Sequence, residues 1–331
     1  MEISFGIEFL ANEPAEKLAE LVKFSEENGL KYAWITDHYN NRDAYAVLTH
    51  IGANTSKINI GPGVTNPYTR TPPQLASAIA TVNEVSGGRA VFGIGPGDKV
   101  TFDGLGIEWV KPLSMVRETV EIVRKLLTGK KISYDGKVCK IKSAKLDYQK
   151  GAEIPVYIGA QGPNMLKLAG EIAEGALVNG SHPRDFETAV KLLKEGCEGA
   201  GKNFNDFDVA AYTSFSIADT KEEAEKTAKP VTAFIVAGSP DTVFEKHGIP
   251  IEDVKKVRDG FKESFGAAIK AVTPEMLDCF SICGSPDECI EQIDSLFKAG
   301  VTQMITGSPL GPEKSKSIEL IGKEVIPHFV K

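Results

Sequence analysis

The residues best suited to chemistry stand at the ends of short apolar runs. Glu8 closes one run, flanked by Phe5, Ile7, Phe9 and Leu10. A carboxyl group in apolar surroundings has a raised pKa, which suits a general acid. The alternative for Glu8 is a hydrogen-bonded or ion-paired structural role. A second run ends in Asp37-His38-Tyr39-Asn40-Asn41. His38 is a possible metal ligand or base, but the five histidines are scattered and no His-x-His pair occurs. Asp37 and His38 therefore read as ligand-binding or loop-ordering residues, with a plain hydrogen-bonded loop pair as the other option. Two glycine-rich strings follow, GPGVTNPY at 61–68 and GIGPGDK at 93–99. Glycine at a strand end lets a backbone or a ligand ring come close. The second string is not a dinucleotide fingerprint, because Asp98 stands where the third glycine belongs and Pro96 sits inside the turn. Two later strings, GAQGPN at 159–164 and NGSHP at 179–183, precede helical patterns. A helix N-terminus offers free N–H groups to a phosphate. Glycine there is also ordinary turn chemistry.

These residues need elements to hold them. Nearly continuous apolar runs at 4–10, 32–37, 58–64, 90–95, 155–160, 175–179, 209–217 and 302–307 read as parallel strands buried on both faces. Helical patterns alternate with them, at 15–28, 73–86, 116–127 and 164–174. Eight β–α pairs predict an α/β fold, a (β/α)8 TIM barrel, with active-site residues at the C-terminal ends of the strands. Residues 131–141 predict a hairpin turning at Asp135-Gly136, and 221–300 a helix-rich insertion between strands seven and eight. Both are read as elaborations of one domain over 1–331.

The 331 residues are 42% hydrophobic and 25% charged, which excludes a disordered or fibrous chain. The net charge of −7 argues against a nucleic-acid partner. Any anion site must then be built locally. No apolar run reaches the ~20 residues that span a bilayer. The N-terminus lacks the basic segment of a signal peptide, so a cytoplasmic location without a membrane partner is expected. Five cysteines at irregular spacing argue against a disulfide framework. Cys279, Cys283 and Cys289 lack the paired spacing of a zinc site and read as packing residues.

Six strings across the chain carry a resemblance: FGIEFL (5–10), YAWITDHYNN (32–41), INIGPGVTNPYTR (58–70), SGGRAVFGIGPGDK (86–99), YIGAQGPN (157–164) and GVTQMITGSPLGP (300–312). Together they resemble the 5,10-methylenetetrahydromethanopterin reductase family of methanogenic archaea, and more broadly the bacterial luciferase-like family. The resemblance implies a luciferase-like barrel that binds the deazaflavin coenzyme F-420 non-covalently, with no flavin and no metal. It implies an oxidoreductase of methanogenesis. Its reaction is reversible hydride transfer from reduced F-420 to methylene-tetrahydromethanopterin, giving the methyl product. A homodimer or homotetramer is also implied. Carried over residue by residue, Glu8 matches the catalytic acid. Asp37 and His38 match positions near the deazaflavin. Gly63-Val64 matches a non-proline cis peptide beneath the ring, with Thr65 beside it. Asp98 matches a wall residue touching both ligands. Ala160, Gln161 and Gly162, with Leu177, Val178 and Asn179, match the coenzyme phosphate and side-chain site. Gln161 and Phe215 match contacts to the pterin. The rival readings are another F-420-dependent oxidoreductase and an FMN-dependent monooxygenase of the same fold.

Overall fold

The computed structural model describes residues 2–330. Its strands are β1 (Ser4–Phe9), β2 (Tyr32–Ile35), β3 (Asn59–Pro62), β4 (Phe92–Ile94), β5 (Ile132–Asp135), β6 (Lys140–Ala144), β7 (Val156–Gly159), β8 (Gly175–Asn179), β9 (Asp208–Ile217), β10 (Ile282–Gly284) and β11 (Gln303–Leu310). The large sheet runs β3-β2-β1-β11-β9-β8-β7-β4, with every neighbouring pair parallel. Two parallel bridges, Ile60 to Ala90 and Thr65 to Ile94, bring the outer strands together. The result is a nearly closed barrel of the eight predicted strands, with helices between them.

Side chains alternate across the barrel wall with a period of two. Trp34, Val91, Tyr157, Leu177, Ala210 and Ile305 fill the interior. Their neighbours, among them Ile7, Val178, Val209, Ala211 and Phe215, pack outward in the larger core between sheet and helices. The helices bury matching stripes. Helix Ala15–Glu27 turns Leu18, Leu21, Val22 and Ser25 inward, at the spacing of one helical face. Thr71 and Gln74 form a capping box, with proline following the cap, at the start of helix Pro72–Val85.

The floor of the barrel is polar and closed. Asp208, the first residue of β9, accepts hydrogen bonds from Tyr157 (2.8 Å), Gln303 (2.7 Å) and Thr302 (2.5 Å). The Gln303 side-chain oxygen in turn accepts the Trp34 indole N–H at 3.0 Å.

The two elaborations differ in detail from the sequence reading. The hairpin β5–β6 is antiparallel, but its second strand runs on to Ala144. Its turn is fixed by Glu118, which accepts the N–H groups of Lys137, Val138 and Cys139. The segment expected to be helix-rich over 221–300 holds six helices; the first five are Lys221–Gly238, Asp241–His247, Ile251–Glu263, Phe265–Lys270 and Pro274–Phe280. They share a small core around Phe244, Val254, Val257 and Met276. The same segment also contains β10, which pairs in parallel with β9 beside the barrel. At three residues, β10 is too short to leave a periodic signal. Helix Pro286–Lys298 then leads back to β11 as an ordinary barrel helix would. All five cysteines are free and buried. Among the described residues, no helix is long and apolar enough to cross a membrane.

Candidate active site

A cavity of about 1020 Å³ opens at the C-terminal ends of the strands. Of the residues singled out from sequence, Asp37, His38, Gly63, Val64, Thr65, Asp98, Ala160, Gln161, Gly162, Leu177 and Asn179 line it. Three do not. Val178 and Phe215 are buried in the core on the helical side of the sheet. Sequence placed both at strand ends. The two-residue alternation turns each one away from the mouth, while Leu177 and Asn179 face it. Glu8 is the third and needs a fuller description.

Glu8 points into the barrel and is only 6% exposed. Its Oε2 accepts the Ser308 N–H at 2.8 Å. Burial pushes its pKa up, against weaker downward pulls from Ser308 and the Lys314 cation. A Cβ on Gly307 would lie 3.1 Å from that same oxygen, so glycine here leaves room for the carboxyl. Tyr212 lies on the neighbouring wall and does line the cavity. Its hydroxyl donates to the Gly63 carbonyl at 3.0 Å. Burial, and next the charge of Glu8, raise the Tyr212 phenol well above its ordinary value.

The β2 and β3 ends are tied together. Asp37 Oδ2 accepts the Thr65 hydroxyl at 2.7 Å and the Arg70 guanidinium at 2.6 Å. The other arm of Arg70 reaches Asp43 at 2.5 Å, and its guanidinium stacks 5.1 Å from the Tyr45 ring centre. Asp43 caps helix Ala44–Asn54 through the N–H groups of Tyr45 and Ala46. The loop-ordering reading of Asp37 is thus seen directly, alongside its place in the cavity wall. The Gly63–Val64 peptide bond is cis.

Asp98 caps the short helix Lys99–Gly104, accepting the Thr101 N–H at 2.8 Å. Burial works upward on its carboxyl. Hydrogen bonds from Thr101 and Val100, with the nearby His38, outweigh that and lower it. An ionised Asp98 is a poor acid. Trp109 donates to the Pro96 carbonyl at 2.7 Å and Tyr68 to the Val110 carbonyl at 2.8 Å, which latch the 96–110 segment to the rim.

The turn at 160–162 was expected to offer three N–H groups to an anion. The Ala160 N–H is instead spent on the Leu177 carbonyl at 3.1 Å. The N–H groups of Gln161 and Gly162 have no partner among the described residues. Gly162 caps helix Pro163–Ile172, and a Cβ there would meet nothing within 4 Å. Two free N–H groups at a helix start, open to the cavity, suit one phosphate. The glycine-rich floor at Gly63 and the single acid behind it suit a flat ring system that brings its own redox chemistry. Among the described residues, no three His, Cys, Asp or Glu side chains are grouped to hold a metal.

Sequence reasoning missed Tyr212, Arg70, Ser308 and Trp109. For Tyr212 a signal was present. It shares the inward parity of Ala210 and pairs with Asn179, the last residue of β8. Arg70 and Trp109 arrive from loops whose direction no local pattern fixes, and Ser308 sits in β11 where its register against β9 shifts.

Comparison with known proteins gives consistent results. Residues 4–303 match the sequence model of the luciferase-like monooxygenase family. A 5,10-methylenetetrahydromethanopterin reductase of Archaeoglobus fulgidus is 52% identical over 330 residues, covering 98% of this chain and 99% of that protein. The protein of that name from Methanopyrus kandleri is 49% identical over 345 aligned positions, covering 99% of each. The solved structure of the coenzyme F-420-dependent tetrahydromethanopterin reductase from Methanopyrus kandleri superposes with a TM-score of 0.96 at 48% identity, covering 99% of this chain and all of that one.

Proposed function

The chain belongs to the luciferase-like monooxygenase family and, within it, to the 5,10-methylenetetrahydromethanopterin reductases; from that premise we propose how its residues divide the work. The chain is an F-420-dependent oxidoreductase that reduces methylene-tetrahydromethanopterin to the methyl compound, reversibly. What carries this reading is identity near one half along the whole length, shared with reductases of that one name. When bound, F-420 supplies the hydride. The protein then has to position, exclude water and deliver a proton.

The methylene carbon of the substrate bridges two nitrogens. Hydride addition is easier once that ring opens to an iminium ion, and opening needs a proton on the departing nitrogen. Glu8, enclosed and raised, is the acid in this proposal. Asp37 and Thr65, braced by Arg70, hold the β2 and β3 ends around the ring of the coenzyme. Gln161 and Gly162 offer their N–H groups to its phosphate, with Leu177 and Asn179 beside it. His38 and Asp98 form the facing wall. The homo-oligomer, dimer or tetramer, belongs to the proposal too, and light scattering on the purified protein tests it.

The deciding experiment is anaerobic. Reduced F-420 should be oxidised by the enzyme only when methylene-tetrahydromethanopterin is present. Turnover with a secondary alcohol in its place, or bound FMN with oxygen-dependent turnover, would replace this reading.

A further inference from the structure

Tyr212 lines the cavity, whereas Glu8 is only 6% exposed and is not one of the lining residues. We infer that Tyr212 is a further catalytic residue, whose hydroxyl passes the proton of Glu8 to the departing nitrogen of the substrate. The inference rests on the reductase reading above.

Three observations place the two groups together. Strand β11 lies between β1 and β9, and the register sets Gly6 beside Ile305 and Ile305 beside Tyr212. Glu8 stands one inward position above Gly6, on the same interior face as Tyr212. The spot that a Gly307 Cβ would fill is 3.1 Å from Glu8 Oε2 and 2.2 Å from the Thr213 carbonyl oxygen. Glu8 and the backbone next to Tyr212 therefore face one gap beside Gly307; the carboxyl bonds to Ser308 and the Tyr212 hydroxyl to Gly63, so one water has to bridge the two groups. The Tyr212 hydroxyl sits at the cavity floor. It donates to the Gly63 carbonyl, and a Cβ on Gly63 would lie 2.9 Å from it. Burial keeps this phenol protonated, as a relay requires.

The step balances without another reactant. The Glu8 O–H bond breaks as its proton joins a bridging water, which gives one of its own protons to the Tyr212 oxygen. The Tyr212 O–H bond breaks as its proton joins the departing nitrogen. The carbon bond to that nitrogen breaks, and its electron pair stays on the nitrogen. The lone pair of the second nitrogen forms the iminium, which accepts the hydride. Tyr212 ends neutral, and Glu8 ends as a carboxylate that water reprotonates.

Tyr212→Phe keeps the ring and removes the hydroxyl. Its kcat should fall roughly 100-fold or more, with F-420 affinity and melting temperature held. In the wild type, kcat should decline as pH rises through the raised pKa of Glu8, and that limb should vanish in Tyr212→Phe. Glu8→Gln, Tyr212→Phe and the double variant should all fall to a similar rate, because two members of one relay are not additive. Near wild-type turnover by Tyr212→Phe, or losses that multiply in the double variant, overturns the relay. So does a fall in kcat matched by equal losses in F-420 affinity and melting temperature, which would make Tyr212 only a prop for Gly63. Should Tyr212→Phe fail to fold, 3-fluorotyrosine at that position keeps shape and hydroxyl while lowering the phenol pKa. An unchanged kcat would then overturn the relay. A wild-type enzyme that fails to oxidise reduced F-420 with the pterin would instead overturn the reductase reading.

Discussion

At the floor of the barrel, Asp208 is buried with three side-chain donors on its carboxyl. At the mouth, Glu8 is buried with one backbone N–H at 2.8 Å. Burial raises the pKa of both. The difference is in what surrounds them. The Asp208 network runs on through Gln303 to Trp34, and Asp208 is only 3% exposed. Such a satisfied network fixes the packing of a core. Glu8 has few partners and stands at the end of the barrel where a cavity of about 1020 Å³ opens. Perturbed groups left in that state are where chemistry gathers. Burial alone does not distinguish a structural carboxyl from a working one. The count of partners and the end of the barrel do.

The sharpest way to break this comparison is to neutralise each carboxyl. Glu8→Gln should lower kcat by roughly 100-fold or more, while the melting temperature and F-420 binding stay near wild type. Steady-state rates and a coenzyme titration check this, and turnover near the wild-type rate would return Glu8 to a structural role. Asp208→Asn should do the reverse. Its amide must turn an N–H toward a donor, leaving at least one buried group unmatched at a cost of about 2 kcal/mol. Chemical denaturation should show that loss, with activity per folded molecule almost unchanged. A mouth-like loss of kcat in Asp208→Asn would erase the distinction between the two ends.

The same contrast explains what the sequence disclosed. Strand positions were legible because both faces of a parallel strand are apolar, and all eight runs became barrel strands. Glycine-rich strand ends were legible as cavity wall, since few other sequences let a ring approach. The facing of individual side chains was less so. Val178 lies between two cavity residues and Phe215 three residues past Tyr212, yet both point outward, because alternation, not nearness to the strand end, decides facing. Partners such as Ser308 for Glu8 lie 300 residues away in sequence. No local pattern joins them, only closure of the barrel.

A weaker effect is expected at the turn of Gly162. The space around a Cβ there is open and the backbone, at φ −78°, accepts any residue. Gly162→Leu should therefore fold normally but project into the cavity beside the two free N–H groups. A loss in F-420 affinity of about tenfold, or 1.4 kcal/mol, is expected by fluorescence titration. Unchanged affinity would move the phosphate elsewhere.

The smallest effect should appear in stability against pH, and it sets the two buried carboxyls apart from a surface one. Glu8 and Asp208 are raised from their ordinary 4.5 and 3.8. A group raised in the folded state adds stability that is whole below its unfolded pKa and is lost as pH climbs through the folded one. Glu26 has the opposite sign. Burial works upward on it, but hydrogen bonds from Ile58, Lys57 and Ser56 outweigh that and hold it at about 2. Its contribution is present above its ordinary 4.5 and is lost only as pH falls toward about 2. Acidifying from neutral to about pH 4.5 should thus strengthen the fold through Glu8 and Asp208 while Glu26 stays ionised. Glu8→Gln removes one of the two raised groups. Its melting temperature relative to wild type should rise from about pH 4.5 upward, then level off once the raised pKa of Glu8 has been passed. Each unit of raised pKa is worth about 1.4 kcal/mol at that plateau. A difference that stays flat from about pH 4 to about pH 8 would mean that Glu8 titrates alike in folded and unfolded chains. The mouth carboxyl would then lack the property that makes it an acid, and the contrast with the floor would rest on partner count alone.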